Sequence, residues 1–253
     1  MSLLNFRDPA RTADPRGDRI SRGVLFRSAQ PFPVAGPGTV ALLRAEDVRT
    51  IVDLRGASER RPDDWTAAER AGITVVRAPL DATGAGAGPD PLALVTDADL
   101  GHFYLALARS APRALADAVS AVARPGAVLV HCAAGKDRTG LLVALLLELL
   151  DVPEDGIVTD YARTADDLPR VLAALAGAAG AAPLNDRAPA VGGRTVPAPL
   201  LQAPPTAIRV FLDTVRTRHG GAGEFLRSHG VDAAALAAFR AKAAVPAGTA
   251  PGR

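Results

Sequence analysis

A single cysteine, Cys132, stands six residues before Arg138 in the run His131-Cys132-Ala133-Ala134-Gly135-Lys136-Asp137-Arg138-Thr139-Gly140. A thiolate is a strong nucleophile, and an arginine at that spacing can curl back to present a planar fork of donors to phosphate oxygens. A loop leading from a strand into a helix adds backbone N–H groups aimed at one spot and the positive end of the helix dipole. That field holds an anion and favours thiolate over thiol. Nucleophile, guanidinium and a nest of amides over residues 133–138 are what cleavage of a phosphate ester through a covalent cysteinyl-phosphate requires.

Two other readings compete. A free cysteine is commonly a small buried hydrophobe, but here the preceding His131, the central Gly135, a strand before and a helix after weigh against it. A nucleotide-binding P-loop fails on the residues. Gly135-Lys136 is followed by Asp137 rather than Ser or Thr, and no glycine stands five residues before Gly135.

The elements that must position this loop follow from pattern. Residues 24–27, 51–54, 73–76 and 127–130 are rich in β-branched side chains and bounded by Gly, Pro or charge, so they read as strands. Helical stretches lie between them, at 38–45, 64–71 and 97–123, the last broken at Pro112. Strands alternating with helices predict an α/β fold with a mostly parallel sheet. The run 141–150 is apolar nearly all round and predicts a helix buried against that sheet. Further helices are expected at 153–161, 165–176, 206–219 and 232–244, with a Gly/Ala/Pro-rich stretch at 177–205. The whole, 1–253, reads as one domain with helical additions.

Composition narrows the function classes. The formal net charge of +2 comes without any cluster of Lys or Arg, which argues against a nucleic-acid partner. Only Lys136 and Lys242 are lysines, so a lysine inside the loop of an arginine-using chain needs a reason. One cysteine excludes an intramolecular disulfide and a Cys-rich metal site and fits a reducing cytoplasm. The first residues meet Arg7 and Pro9 before any apolar leader core forms. The most apolar run contains Glu148 and is far shorter than the roughly 18 residues of a membrane span. A soluble cytoplasmic protein without integral membrane contact is the expectation, and export without a leader remains compatible with it.

The signature resembles that of the PtpB-type atypical bacterial tyrosine phosphatases, also described as dual- or triple-specificity protein and lipid phosphatases. Asn5-Phe6-Arg7-Asp8, Leu25-Phe26-Arg27-Ser28 and Val52-Asp53-Leu54-Arg55 followed by Glu59 are similar to that family's N-terminal landmarks. The segment from Phe211-Leu212-Asp213 through His219-Gly220-Gly221 to Phe225-Leu226 is similar to its C-terminal helices. The resemblance implies a cysteine-phosphatase fold of the dual-specificity type: a central, mostly parallel sheet flanked by helices, with a helical lid within 153–205. It implies Cys132 as nucleophile, Arg138 and the amides of Ala133, Ala134 and Gly135 on the phosphate, and Thr139 on the leaving thiolate. His131 either fixes the loop or is a buried structural histidine. Asp137 is the preferred general acid, with Asp81, just after the third strand, as the alternative. Helix capping by Asp137 and a solvated turn for Asp81 are their plain readings. Lys136 would add a second cation beside the phosphate and help admit phosphoinositide head groups. Asp53, Arg55 and Glu59 line the pocket or, the preferred reading, brace the loop.

Expected partners are phosphorylated proteins or peptides, and phosphoinositides as the lipid alternative; no cofactor and no metal enter this chemistry. Intact Cys132, Arg138 and a candidate acid speak against a non-catalytic phospho-binding module. An arsenate reductase would want further cysteines, and a rhodanese would not need Lys136-Asp137. With no second cysteine, a sulfenic acid on Cys132 could be rescued only by a backbone sulfenamide or an external thiol.

Overall fold

A computed structural model of the chain describes residues 3–81, 90–178, 190–191 and 194–245. Four parallel strands, β1 (Leu25–Ser28), β2 (Val48–Asp53), β3 (Thr74–Arg77) and β4 (Ala127–His131), form one sheet in the order β1-β4-β2-β3. Every residue of β1 and β4 is buried, as in strands covered on both faces. Side chains alternate between two cores. Val128 and Val130 of β4 with Val52 of β2 face the larger one, while Ala127, Leu129 and Ile51 face the smaller. All four expected strands are present, moved by one to three residues.

Two helices, α2 (Pro37–Ala45) and α3 (Thr66–Arg70), supply Val40, Leu43 and Ala68 to the smaller core. The larger core takes α4 (Asp97–Ser110), α5 (Pro112–Val122), α6 (Asp137–Leu149) and α7 (Glu154–Ala162). The Thr96–Asp99 capping box starts α4. The break before α5 falls where Ala111, forced from helical geometry by the following proline, has φ −130° and ψ 58°. Residues Thr139 to Leu147 of α6 are buried on every side, as its all-round apolar sequence predicts.

The C-terminal helices close this face. α9 (Pro205–His219) packs on α4, α6 and α7 and ends at Gly220, whose φ of 73° suits a glycine C-cap. α10 (Ala222–Ser228) packs on α6 and α9, and α11 (Ala233–Ala243) on α5. Two short helices were not legible in the sequence: α10 and the five-residue α1 (Pro9–Ala13), which Asp8 caps through the Ala10 amide.

The segment 153–205 divides. α7 is part of the core, with Ile157, Val158, Asp160 and Tyr161 buried. α8 (Thr164–Ala178) buries only Thr164, Leu168 and Val171. Beyond it, β5 (Ala190–Val191) and β6 (Arg194–Thr195) pair antiparallel, and a 3₁₀ turn spans Ala198–Leu201. Residues 179–189 and 192–193 of the Gly/Ala/Pro-rich stretch lie outside the described residues. Among the described residues no helix is long and apolar enough to cross a membrane.

Candidate active site

Cys132 follows β4 directly, and α6 begins five residues later at Asp137. Gly135 turns the loop at φ +67°, and a Cβ there would stand 2.3 Å from the Ser28 carbonyl oxygen, so only glycine fits. The loop carbonyls are tied down from behind. Ala133 O accepts from the Gln30 amide (3.0 Å), Ala134 O from Asn5 Nδ2 (3.2 Å), and Gly135 O from Asn5 Nδ2 (3.1 Å) and Arg27 Nη2 (2.8 Å). In a trans peptide N–H and C=O point in opposite directions, so anchoring these carbonyls turns the intervening amides to the front. Among the described residues no backbone carbonyl accepts from the amides of 133–138, which leaves them for an anion.

Behind the loop lies a buried ion cluster. Asp160 of α7 bonds Arg27 (2.6 Å), Arg7 (2.8 Å) and Thr12 (2.8 Å). Burial alone would raise the Asp160 pKa, but Arg27, Arg7 and the hydrogen bonds outweigh it and hold the group at about 2. The Arg7 guanidinium, buried and beside Arg27, is lowered to about 10. Two guanidiniums share one carboxylate, so the cluster leaves a net positive charge under the anion loop.

His131 and the bracing residues form a second buried layer. Trp65 Nε1 donates to His131 Nε2 (3.0 Å), so the ring carries its proton on Nδ1 and donates to the Cys132 carbonyl (3.1 Å). Burial lowers the His131 pKa against the pull of Asp53, which keeps the ring neutral. Arg55 makes a two-pronged bond to Asp53 (2.9 and 2.7 Å) and reaches Asp64 (2.9 Å) and Gln30 Oε1 (3.1 Å). Arg55 thus reaches the loop through Gln30, whose amide holds the Ala133 carbonyl, and His131 reaches it through the Cys132 carbonyl.

The front is more open. Arg138 bonds Glu59 through both terminal nitrogens, at 2.5 and 2.6 Å. Burial opposes its charge, but Glu59, Cys132 and Asp137 raise its pKa well above the ordinary value. The same ion pair overcomes burial on Glu59 and lowers that carboxyl. Cys132 is 2% exposed, and the Thr139 hydroxyl is buried with no partner among the described residues. A cavity of about 270 Å³ is walled by Asp81, Asp137 and Arg138 with Leu80, Phe103 and Leu200. Both candidate acids thus share one cavity with the arginine. The Asp137 Oδ1 accepts from the Tyr104 hydroxyl (2.7 Å) and pairs with Lys136 Nζ (3.0 Å).

The profile described as the tyrosine phosphatase family matches residues 1–244. The chain belongs to the tyrosine phosphatase family. Among curated members it is 49% identical over 63 residues to the triple specificity protein phosphatase PtpB of Mycobacterium tuberculosis, a match covering 25% of this chain and 23% of that protein. It is 31% identical over 166 residues to a putative tyrosine-protein phosphatase of Cupriavidus necator, covering 63% of this chain and 60% of the relative. The chain therefore spans about a quarter and three fifths of these two relatives. Of solved structures, TpbA of P. aeruginosa in complex with pTyr aligns at 23% identity and TM-score 0.33, over 69% of this chain and 87% of that one. The SIW14 core of S. cerevisiae, solved with citrate, aligns at 21% identity and TM-score 0.38, over 58% and 75%.

Strand, signature loop and buried helix follow one another here. Asp81, Asp137 and Arg138 line the cavity, and Cys132 and Thr139 stand in the loop beside it. Lys136 was expected to add a second cation beside the phosphate. It is buried, and its ammonium donates to the carbonyls of Pro199 (3.2 Å) and Gln202 (2.7 Å), tying down the turn that carries Leu200. Asp137 occupies the first turn of α6, whose N-terminus has no side-chain cap. Residues to which the sequence reading gave no role complete the site: Asn5, Arg7, Arg27, Gln30, Asp160, Tyr104 and Tyr161. Two signals were available for them: a charged Arg27 inside an apolar strand, and the N-terminal landmark that holds Asn5 and Arg7.

Proposed function

We propose that this tyrosine phosphatase family member hydrolyses phosphotyrosine, and phosphoserine or phosphothreonine as a wider range, through a cysteinyl-phosphate on Cys132. The carrying observation is the loop itself, with its carbonyls anchored behind, its amides unclaimed in front, Arg138 electrostatically coupled to Cys132, and the Thr139 hydroxyl buried without a partner among the described residues. The phosphate oxygens take the amides and the Arg138 guanidinium. The Cys132 sulfur attacks phosphorus in line, the P–O ester bond breaks, and the leaving oxygen takes a proton from Asp137. A water then attacks phosphorus, giving its proton to the same carboxylate. The S–P bond breaks, inorganic phosphate leaves, and Thr139 meets the departing thiolate. Asp81, which lines the same cavity, is the alternative acid.

Because α7 belongs to the core, a cover over the site would begin past Ala162. The residues favouring that part are Val171, Ala174 and Leu175 of α8, which pack with Phe32 and with Ala134 of the loop. A covered thiolate reacts with peroxide more slowly than free cysteine does, and equal rates would rule the cover out.

The deciding experiment compares initial rates on a phosphotyrosine peptide and a monophosphorylated phosphoinositide, for wild type and Cys132→Ser. Turnover by wild type alone supports the nucleophile, and the ratio of rates separates protein from lipid substrates. With Lys136 turned into the protein, the peptide is the expected better substrate. Binding of the peptide without turnover would make the protein a phospho-ligand module instead.

A further inference from the structure

Tyr104 of α4 and Tyr161 of α7 bring their hydroxyls within 2.6 Å of each other, and the Tyr104 hydroxyl lies 2.7 Å from Asp137 Oδ1. Toward a carboxylate, which only accepts, Tyr104 must give its single proton, so the proton between the two tyrosines belongs to Tyr161. The result is a directed chain from Tyr161 to Tyr104 to Asp137. Burial, with Asp137 nearby, pushes both phenol pKa values above the ordinary range, so both hydroxyls remain donors at working pH. Packing fixes the rings, Tyr104 lying edge-on to Tyr161 and to Phe211.

A second observation ties this pair to the signature. A Cβ on Gly140 would stand 2.9 Å from the Tyr161 ring, so the glycine that ends the signature makes room for that ring. The charged neighbours on Asp137 are Lys136, which shares Oδ1, and Arg138, whose pKa it raises. Both donors fall on Oδ1, and among the described residues Oδ2 has no hydrogen-bond partner.

We infer that Tyr104 and Tyr161 are positioning residues for Asp137, holding Oδ1 so that Oδ2 delivers the proton to the leaving group and later takes one from water. This rests on the reading of Asp137 as general acid. Oδ1 accepts a hydrogen bond whether or not Oδ2 carries a proton, so one arrangement serves both half-reactions.

The test is kcat/KM on phenyl phosphate, whose leaving group needs a proton, and on 2,4-dinitrophenyl phosphate, whose leaving group does not. Wild type, Asp137→Asn, Asp81→Asn, Tyr104→Phe and Tyr161→Phe are compared. General acid catalysis contributes about 10²-fold or more, so Asp137→Asn should lose about that on phenyl phosphate only. Loss of orientation should make Tyr104→Phe about tenfold slower on phenyl phosphate, with the alkaline limb of its pH profile moved, and Tyr161→Phe a few-fold slower. On the activated ester both should stay within about twofold of wild type, which also reports that they fold. If Asp137→Asn behaves as expected while Tyr104→Phe matches wild type on both esters, or falls equally on both, the positioning chain is wrong and the acid survives. If only Asp81→Asn shows the leaving-group effect, the acid assignment fails and the chain with it.

Discussion

Two arginines flank the signature loop and are held on different terms. Arg27, behind it, is 1% exposed and paired with Asp160, itself 1% exposed. Arg138, in front, is 16% exposed and paired with Glu59, which is 33% exposed. The rear pair is buried beside a second guanidinium, where removing one partner strands charge. On the proposed function, the partly exposed front pair exchanges Glu59 contacts for phosphate oxygens as substrate enters. Similar chemistry thus serves rigidity on one side of the loop and exchange on the other.

The contrast predicts that damage in front costs turnover and damage behind costs stability. Arg138→Ala should lower kcat/KM by about 10³-fold, comparable to losing an oxyanion donor, with little change in melting temperature. A fall in melting temperature to match would show that the front arginine also holds the fold. Asp160→Asn should do the reverse. Leaving buried guanidiniums uncompensated costs about 3–5 kcal/mol, which calorimetry should register as a melting point lower by about 10 °C or more. Turnover per folded molecule should change much less.

Acidification is a gentler probe of the rear cluster. Asp160 titrates at about 2 in the fold against an ordinary 3.8. Its contribution is therefore complete above about pH 4 and fades as pH falls toward 2, in total about 2 kcal/mol. Urea titrations over that range should show wild type losing about 2 kcal/mol more than Asp160→Asn, the rest of the acid loss being common to both. The smallest effect belongs to Glu59→Gln, where kcat/KM should fall about tenfold through looser placement of Arg138. Stability should move by less than about 1 kcal/mol, because the pair is partly solvated.

How much was legible follows from how local each signal is. The strands and α6 could be read because burial on both faces writes a continuous apolar run into a few adjacent residues. The break at Pro112 was equally local, since proline excludes helical geometry from the residue before it. α10 went unread because its seven residues, flanked by glycines, carry too little periodicity. Lys136 shows the reverse case. Its place beside the nucleophile in sequence suggested a phosphate contact, whereas the carbonyls of Pro199 and Gln202, over sixty residues away, claim its ammonium.

The sequence alone determined the make-up of the loop and the chemistry proposed for it, because cysteine, guanidinium, glycine turn and helix start fall within ten consecutive residues. Only the tertiary structure decided what holds that loop. Asn5, Arg27, Tyr104 and Asp160 come from four distant segments, and hydrogen bonds that span from 33 to more than a hundred positions leave no pattern in either neighbourhood. Their spacing is set by how α4, α7 and the N-terminal segment pack around the sheet, and that packing brings the cradle together.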